Sequence, residues 1–293
     1  MFEALSLVIV GFVAMLKDSL AKKRSKRFLD RVQSCLKAAQ IAGTIEPFDT
    51  VIETVSEEGI SFEVRVASSL IKKPGRAPDS KPRDPFMPPF EAGMLVDDTL
   101  TDHRVLLNKF NVLPVHLLVT SKSFRHQDGP LRAEDFAVTA SVLEATGDNS
   151  LAFYNHGHAS GFSQPHLHIQ VVDMPNFPLL NFYNDPVLRN KLGFNVGVDQ
   201  VPCDEISPYS KLEETVNSLL NSLKLSWQSD QGFNLLWNRT MVIVIPRSRS
   251  ELEPGLCLNA ISYSGSLFVK NEQISQRLKQ VGPLKLLRSL STI

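Results

Sequence analysis

The sequence predicts an α+β fold built on an antiparallel sheet. Short strand-like runs are joined by links of hairpin length, with a few helical stretches between them. A regular β-α-β alternation is not evident. Neither G-x-G-x-x-G nor a P-loop opens a helix after a strand, so a doubly wound nucleotide fold is not indicated.

The elements follow in order. Residues 4–16 (ALSLVIVGFVAML) are almost wholly apolar and precede a basic cluster of Lys17, Lys22, Lys23, Arg24, Lys26 and Arg27. This run is shorter than the ~20 residues that span a bilayer as a helix. A secretory signal would carry its charge before the apolar core, not after it. Residues 1–26 are therefore set apart as an N-terminal extension, read as a packing helix, a weak membrane-surface anchor or a non-native start. Stable membrane association is not expected. A cytoplasmic location is, with organelle targeting and weak tethering left open.

Next, FLDRVQSCLKAAQIAG spaces Phe28, Val32, Cys35, Leu36 and Ala39 as a helix does, and Gly43 can end it. Ile60, Phe62, Val64 and Val66 alternate with polar residues, the pattern of a half-buried strand. Residues 73–90 hold six prolines, which excludes helix and central strand and leaves a linker or a substrate-wrapping loop. Strands are predicted at 104–110 and 115–121, joined across Leu113-Pro114, and a helix over 132–146 opens with Glu134 and Asp135. LAFYN (151–155) and HLHIQVV (166–172) are strand-like and flank the turn HGHASGFSQP. Toward the end, TMVIVIPRS and GSLFVK predict strands and ISQRLKQVG a helix.

Composition narrows the function. Thirty-one Lys+Arg balance thirty-one Asp+Glu, so the basic excess of a nucleic-acid binder is missing and phosphate recognition has to be local. Cys35, Cys203 and Cys257 are scattered and odd in number, which argues against a disulfide framework or zinc knuckle and for buried reduced thiols.

The chemistry concentrates in one place. His156, His158, His166 and His168 fall within thirteen residues. On a strand, His166, His168 and Gln170 share a face, while Leu167 and Ile169 turn to the core. A neutral imidazole is a competent nucleophile toward phosphorus near neutral pH. A glutamine amide donates to a phosphoryl oxygen without taking its proton. The turn from Asn155 to Gln164 supplies glycines, serines and backbone N–H groups suited to an anion. H-x-H pairs also bind zinc, so nucleotidyl transfer, a metal site and structural histidines all remain open from these residues alone.

NKF (108–110), the FYN turn and S-G-x-S-Q-P-H-x-H-x-Q (160–170) resemble the diadenosine tetraphosphate phosphorylases, or ATP adenylyltransferases, of the histidine-triad superfamily. LIKKP (70–74), DPFMPP (84–89), IPRS (245–248) and LNAISYSG (258–265) extend the resemblance over roughly residues 27–293. It implies a histidine-triad-like antiparallel sheet with flanking helices over 27–205, and a smaller C-terminal subdomain over 206–293. His168 would be the nucleophile that carries AMP, with His166 orienting it or touching phosphate and Gln170 binding the α-phosphate. Asn155, Gly157, Ser160, Ser163 and Gln164 would line the phosphate path. Lys73, Asn108 and Lys109 would meet the polyphosphate. Histidine-triad hydrolases carry a third His where Gln170 stands, so the resemblance implies that phosphate, not water, resolves the intermediate. Diadenosine tetraphosphate plus phosphate would give ATP plus ADP, with adenylyl sulfate as a second substrate. The implied partners are adenine dinucleotides, ATP, ADP and inorganic phosphate, and no nucleic acid. No cofactor would be tightly bound, no protein residues form a metal site, and Mg²⁺ would arrive with the nucleotide. A related hexose-1-phosphate uridylyltransferase and a non-catalytic nucleotide- or metal-binding protein are the alternatives.

His156 and His158 depart from that family's pattern, where smaller or less basic residues are expected. Phe86 and Trp237 are candidates to stack on adenine, although large aromatics more often belong to a core. Arg247 is a candidate phosphate contact. His103, His116 and His126 read as structural.

Overall fold

The computed structural model describes residues 23–45, 50–67, 83–201 and 211–292. The apolar run at 4–16, Lys73 and Cys203 lie outside the described residues. A helix, α1, covers 23–41, so the expected boundary at 26/27 falls within it. Strands β1 (Thr50–Glu57) and β2 (Ile60–Ala67) follow as a hairpin. Then come β3 (Leu95–Asp97), β4 (His103–Leu107), β5 (His116–Ser121), α2 (Ala133–Thr146), β6 (Ser150–His156) and β7 (His168–Asp173). After α3 (Leu180–Asn184), α4 (Pro186–Asn190) and β8 (Gly197–Gln200), the chain forms α5 (Leu212–Ser222), β9 (Phe233–Trp237) and β10 (Met241–Pro246). It ends with β11 (Ser266–Val269), α6 (Glu272–Val281) and α7 (Pro283–Leu290).

Eight strands make one antiparallel sheet in the order β3-β4-β5-β7-β6-β9-β10-β8. The sheet runs through the expected division at 205/206: β9 pairs with β6, so the C-terminal residues widen the sheet that bears the histidines. A second sheet, β1-β2-β11, contains a parallel pair between β2 and β11, so it too ties the chain's end to its beginning.

Alternation sorts the central strands between two cores. Leu167, Ile169 and Val171 join Ala152, Tyr154, Leu235 and Trp237 on one face, covered by α1, α2 and α5 through Val32, Phe136 and Val216. Leu151, Phe153, Val172, Leu236 and Ile243 face the other way, against Phe62 and Val64 of β2 and Leu284 and Leu287 of α7. Each large aliphatic side chain removed from water contributes about 1.5–3 kcal/mol. Both faces therefore oppose any slip in register, because a shift of one residue would exchange the two sets.

The strand predicted at 166–172 begins at His168; His166 makes only an isolated bridge to His126. The strand predicted at 104–110 stops at Leu107, and Asn108-Lys109-Phe110 form the turn beyond it. The expectation of buried thiols is corrected. Cys35 is half-buried and Cys257 is exposed, because Cys257 lies in the loop between β10 and β11 at a cavity rim and not in either core.

Candidate active site

On the second face of the large sheet, beside the ends of β4, β5, β6 and β7, lies a cavity of about 540 Å³. His168 is buried, 4% exposed, and forms part of its lining. Its ring Nδ1 lies 2.8 Å from the carbonyl oxygen of His166. A carbonyl only accepts, so Nδ1 carries the proton and Nε2 holds the in-plane lone pair. The Phe86 ring tilts over the imidazole at 5.1 Å between centroids.

The ring of His166 is not in the lining. Its Nδ1 lies 2.6 Å from Asp84 Oδ2 and its Nε2 lies 2.9 Å from Ser121 Oγ. His166 thus reaches the site through its main-chain carbonyl. Asp84 also accepts from the Phe86 amide, so one carboxylate secures both His166 and the aromatic over His168. Residues 83–90 of the proline-rich stretch form a cavity wall with Arg83, Pro85, Phe86 and Met87, the substrate-facing alternative for that part of the loop.

Gln170 lies two residues along the same face and lines the cavity. His116 Nε2 donates to its Oε1 at 2.9 Å, and Asn108 Nδ2 lies against the same imidazole, 3.0 Å from Nε2 and 3.3 Å from Nδ1. With Oε1 engaged, the Gln170 amide has its NH₂ left to offer. No local pattern lifts His116 above the expected structural histidine; in the fold it lines the cavity and orients Gln170. The available signal was position, since His116 opens a strand directly after the N-K-F turn.

Asn155 is fully buried on β6 and also lines the cavity. Its Oδ1 accepts from Asn234 Nδ2 and from the Ala260 amide, both at 2.8 Å, which locks β6 to β9 and to the turn before β11. Ser163 and Gln164 reach the lining, as do Asn108 and Lys109; Lys109 is bound to Glu91 at 2.8 Å.

Besides His166, two more expected residues are not brought to the cavity. Gly157 donates its N–H to Asp128 and packs against Gly232; with φ of 74°, a Cβ there would lie 2.7 Å from the Gly232 Cα. Ser160 is buried, and its amide and hydroxyl both donate to the Gly157 carbonyl. Both residues shape the turn that delivers Gly161, Ser163 and Gln164.

The four clustered histidines do not converge. His156 projects from the opposite face of β6 and stacks on Phe233 at 4.5 Å. Burial pushes its pKa down to about 4, against weaker opposing effects of Asp128 and the Trp227 backbone. His158 sits in the short turn after β6, 5.7 Å from the Phe162 ring. Trp237 is core, edge-on to Phe136, and is no adenine platform. Arg247 is 1% exposed and donates to the carbonyls of Leu290, Leu258, Arg249 and Ser160 and to Asn234 Oδ1. Its guanidinium is consumed as an internal bolt, so the phosphate-contact reading is set aside. His103 and Arg125 both bind Asp135, and burial, which alone would raise that carboxyl, is outweighed by their bonds and the Arg132 amide, holding it at about 2.

The C-terminal residues also contribute, through Asn259, Ser262 and Lys270, none of which the sequence reading singled out individually. Lys270 directly follows β11 and adds a cation to a wall that also holds apolar groups such as Ile261 and Phe268.

Two family models match the chain: the Ap4A phosphorylase N-terminal domain over residues 18–185 and the ATP adenylyltransferase C-terminal domain over residues 190–292. Diadenosine 5',5'''-P1,P4-tetraphosphate phosphorylase 2 of Saccharomyces cerevisiae is 29% identical over 257 residues, covering 75% of this chain and 79% of the yeast protein. Protein APA1 of the same yeast is 26% identical, over 72% of this chain and 76% of its own. The crystal structure of yeast Ap4A phosphorylase Apa2 matches with a TM-score of 0.75 at 24% identity, covering 90% of this chain and 97% of that one. At that identity, the structural match speaks for the fold.

Proposed function

This chain belongs to the Ap4A phosphorylase family, and on that premise we propose that it is a nucleotidyltransferase that splits diadenosine 5',5'''-tetraphosphate with inorganic phosphate, giving ATP and ADP. The observation that carries the reading is the bond from His168 Nδ1 to the His166 carbonyl, which assigns the lone pair to Nε2 of a residue that lines the cavity. Nε2 attacks the α-phosphorus, an N–P bond forms, the bridging P–O bond breaks and ATP leaves. Phosphate then attacks the same phosphorus, the N–P bond breaks and ADP leaves. Positive charge develops on the ring while AMP is attached, and the carbonyl held against Nδ1–H stabilises it.

Gln170 explains the choice of acceptor. With its Oε1 taken by His116, it offers donors to a phosphoryl oxygen and no base to activate water. Phosphate needs no such base because it arrives as an anion. Asn155, Ser163, Gln164, Asn108, Lys109 and Lys270 line the cavity that the polyphosphate would follow; Lys73, outside the described residues, is proposed as a further cation for it. Mg²⁺ comes bound to the nucleotide and no cofactor is held tightly. Adenylyl sulfate serves as a second substrate through the same intermediate, with sulfate leaving. Among the described residues no helix is long and apolar enough to cross a membrane; we assign the enzyme to the cytoplasm.

The test is a product assay on diadenosine tetraphosphate, with and without phosphate, for the wild type and His168→Ala. ATP plus ADP is expected only with phosphate and only in the wild type. Phosphate-independent hydrolysis, or full turnover in the variant, would overturn the reading.

A further inference from the structure

The β6–β7 ladder runs from Ser150↔Asp173 to Phe153↔Gln170 and stops there. Continued in register, the next pair of the same kind is Asn155 opposite His168, and in an antiparallel ladder such a pair bonds amide to carbonyl directly. Here a side chain stands in that bond. Gln127 Oε1 accepts from the His168 N–H at 2.8 Å, and Gln127 Nε2 donates to the Asn155 carbonyl at 2.9 Å and, more weakly, to the His168 carbonyl at 3.3 Å. One direct hydrogen bond becomes two with an amide between them, and the strands are held apart by that width.

Upstream of His168 the strand changes partner. Leu167 donates its N–H to the Arg125 carbonyl at 2.7 Å, His126 bridges His166, and the Gln127 N–H donates to the Pro165 carbonyl at 2.7 Å. The sheet forks at His168, with β6 on one side and residues 125–127 on the other. Gln127 fills the crotch at 0% exposure, and its own carbonyl accepts from the Tyr154 hydroxyl. Arg125 anchors the second branch through two bonds to Asp135, at 2.6 and 2.9 Å.

We infer that Gln127 is a positioning residue for nucleotidyl transfer: its amide sets the splay between His168 and Asn155, which both line the cavity. A direct His168–Asn155 ladder bond would draw the two side chains together and turn the nucleophile away from its line of attack. This inference rests on the reading of His168 as the group that carries the nucleotide.

Two substitutions test it. Gln127→Met keeps length and volume and removes the bridge. Its kcat should fall on the order of 100-fold, the cost of displacing a reacting group by about 1 Å, while KM for diadenosine tetraphosphate stays within about threefold. Gln127→Glu is sharper. When neutral, its carboxyl donates O–H to the Asn155 carbonyl and accepts from the His168 N–H, restoring the bridge. When ionised, it presents only acceptors and repels that carbonyl. Burial raises a carboxyl pKa, so kcat of Gln127→Glu should fall with rising pH along a limb that the wild type and Gln127→Met lack. Circular dichroism at each pH separates this from unfolding.

A native-like Gln127→Met with wild-type kcat overturns the inference. So does a Gln127→Glu profile that superimposes on the wild type, or one whose fall tracks loss of the native signal. Should Gln127→Met not fold, the Gln127→Glu profile decides. A wild type that neither makes ATP and ADP nor retains labelled AMP overturns both this inference and the functional reading. A productive wild type beside an equally productive Gln127→Met overturns this inference alone.

Discussion

His168 and His156 are twelve positions apart, lie on neighbouring strands and are both buried, yet their surroundings set them to opposite tasks. His168 faces the cavity, with one ring nitrogen on a carbonyl that selects its tautomer. His156 faces the helical side, stacked on Phe233 and edge-on to Trp227, and its Nδ1 has no hydrogen-bond partner among the described residues. Burial at His156 opposes the charged form. At His168 a fixed dipole supports the charge that develops during transfer. Two histidines of one sequence cluster are thus set on opposite faces of the sheet by the alternation of their strands.

The largest expected effect breaks this comparison at the cavity face. His168→Ala should lose roughly 1000-fold or more in turnover and leave the melting temperature close to that of the wild type, as initial rates and thermal scans would show. A variant that unfolds instead would mean that His168 belongs to the core as His156 does.

Gln170→His comes next. It exchanges an amide for a group able to take a proton, so phosphorolysis should fall by roughly 10- to 100-fold while phosphate-independent hydrolysis appears. Ion-exchange analysis of products with and without phosphate reads both changes. Unaltered dependence on phosphate would show that the acceptor is chosen elsewhere in the cavity.

His116 refines the same face. His116→Phe removes the donor to Gln170 Oε1. Leaving a buried polar group unsatisfied costs about 1–3 kcal/mol, so kcat should drop roughly 5- to 100-fold. In a Gln170→Ala background the same change should cost little, since the amide it orients is gone. Additive losses from the two changes would sever His116 from Gln170.

How much of this was legible follows from the range of each signal. The row His166-x-His168-x-Gln170 and the burial of Leu167 and Ile169 depend on strand alternation, a local property, and the fold reproduces the alternation from His168 onward. Arg247 was not legible as a bolt, because the carbonyls it binds come from Ser160, Leu258 and Leu290, distant in sequence. Gly157 and Ser160 looked like phosphate ligands because a Gly/Ser turn is the common sign of an anion nest, whereas here Asp128 and Gly232 claim that corner. Gln127 carries no sequence motif at all; its role comes from where two strands part. The pairing that crosses the division at 205/206 was not legible for a related reason: β9 finds its partner in β6, and no local pattern announces a pairing across 79 residues between Asn155 and Asn234.

The smallest effect lies on the core face and concerns stability alone. His156 has a pKa of about 4 in the fold against 6.5 for an ordinary histidine. Between those values the unfolded chain holds a proton there that the folded chain refuses, so stability rises with pH through the window and is lost as pH falls from 6.5 toward 4. A shift of that size corresponds to about 3 kcal/mol across the window. His156→Phe keeps an aromatic ring on Phe233 and removes both the titrating nitrogen and the unpartnered Nδ1. Urea melts should therefore show little change near neutrality and a flatter decline in acid, with turnover at neutral pH unaltered because the ring lies across the sheet from the cavity. An unchanged acid decline would assign the lost stability to other groups. A drop in neutral turnover would mean that the two faces of β6 are coupled, and that the register which separates His156 from Asn155 also transmits between them.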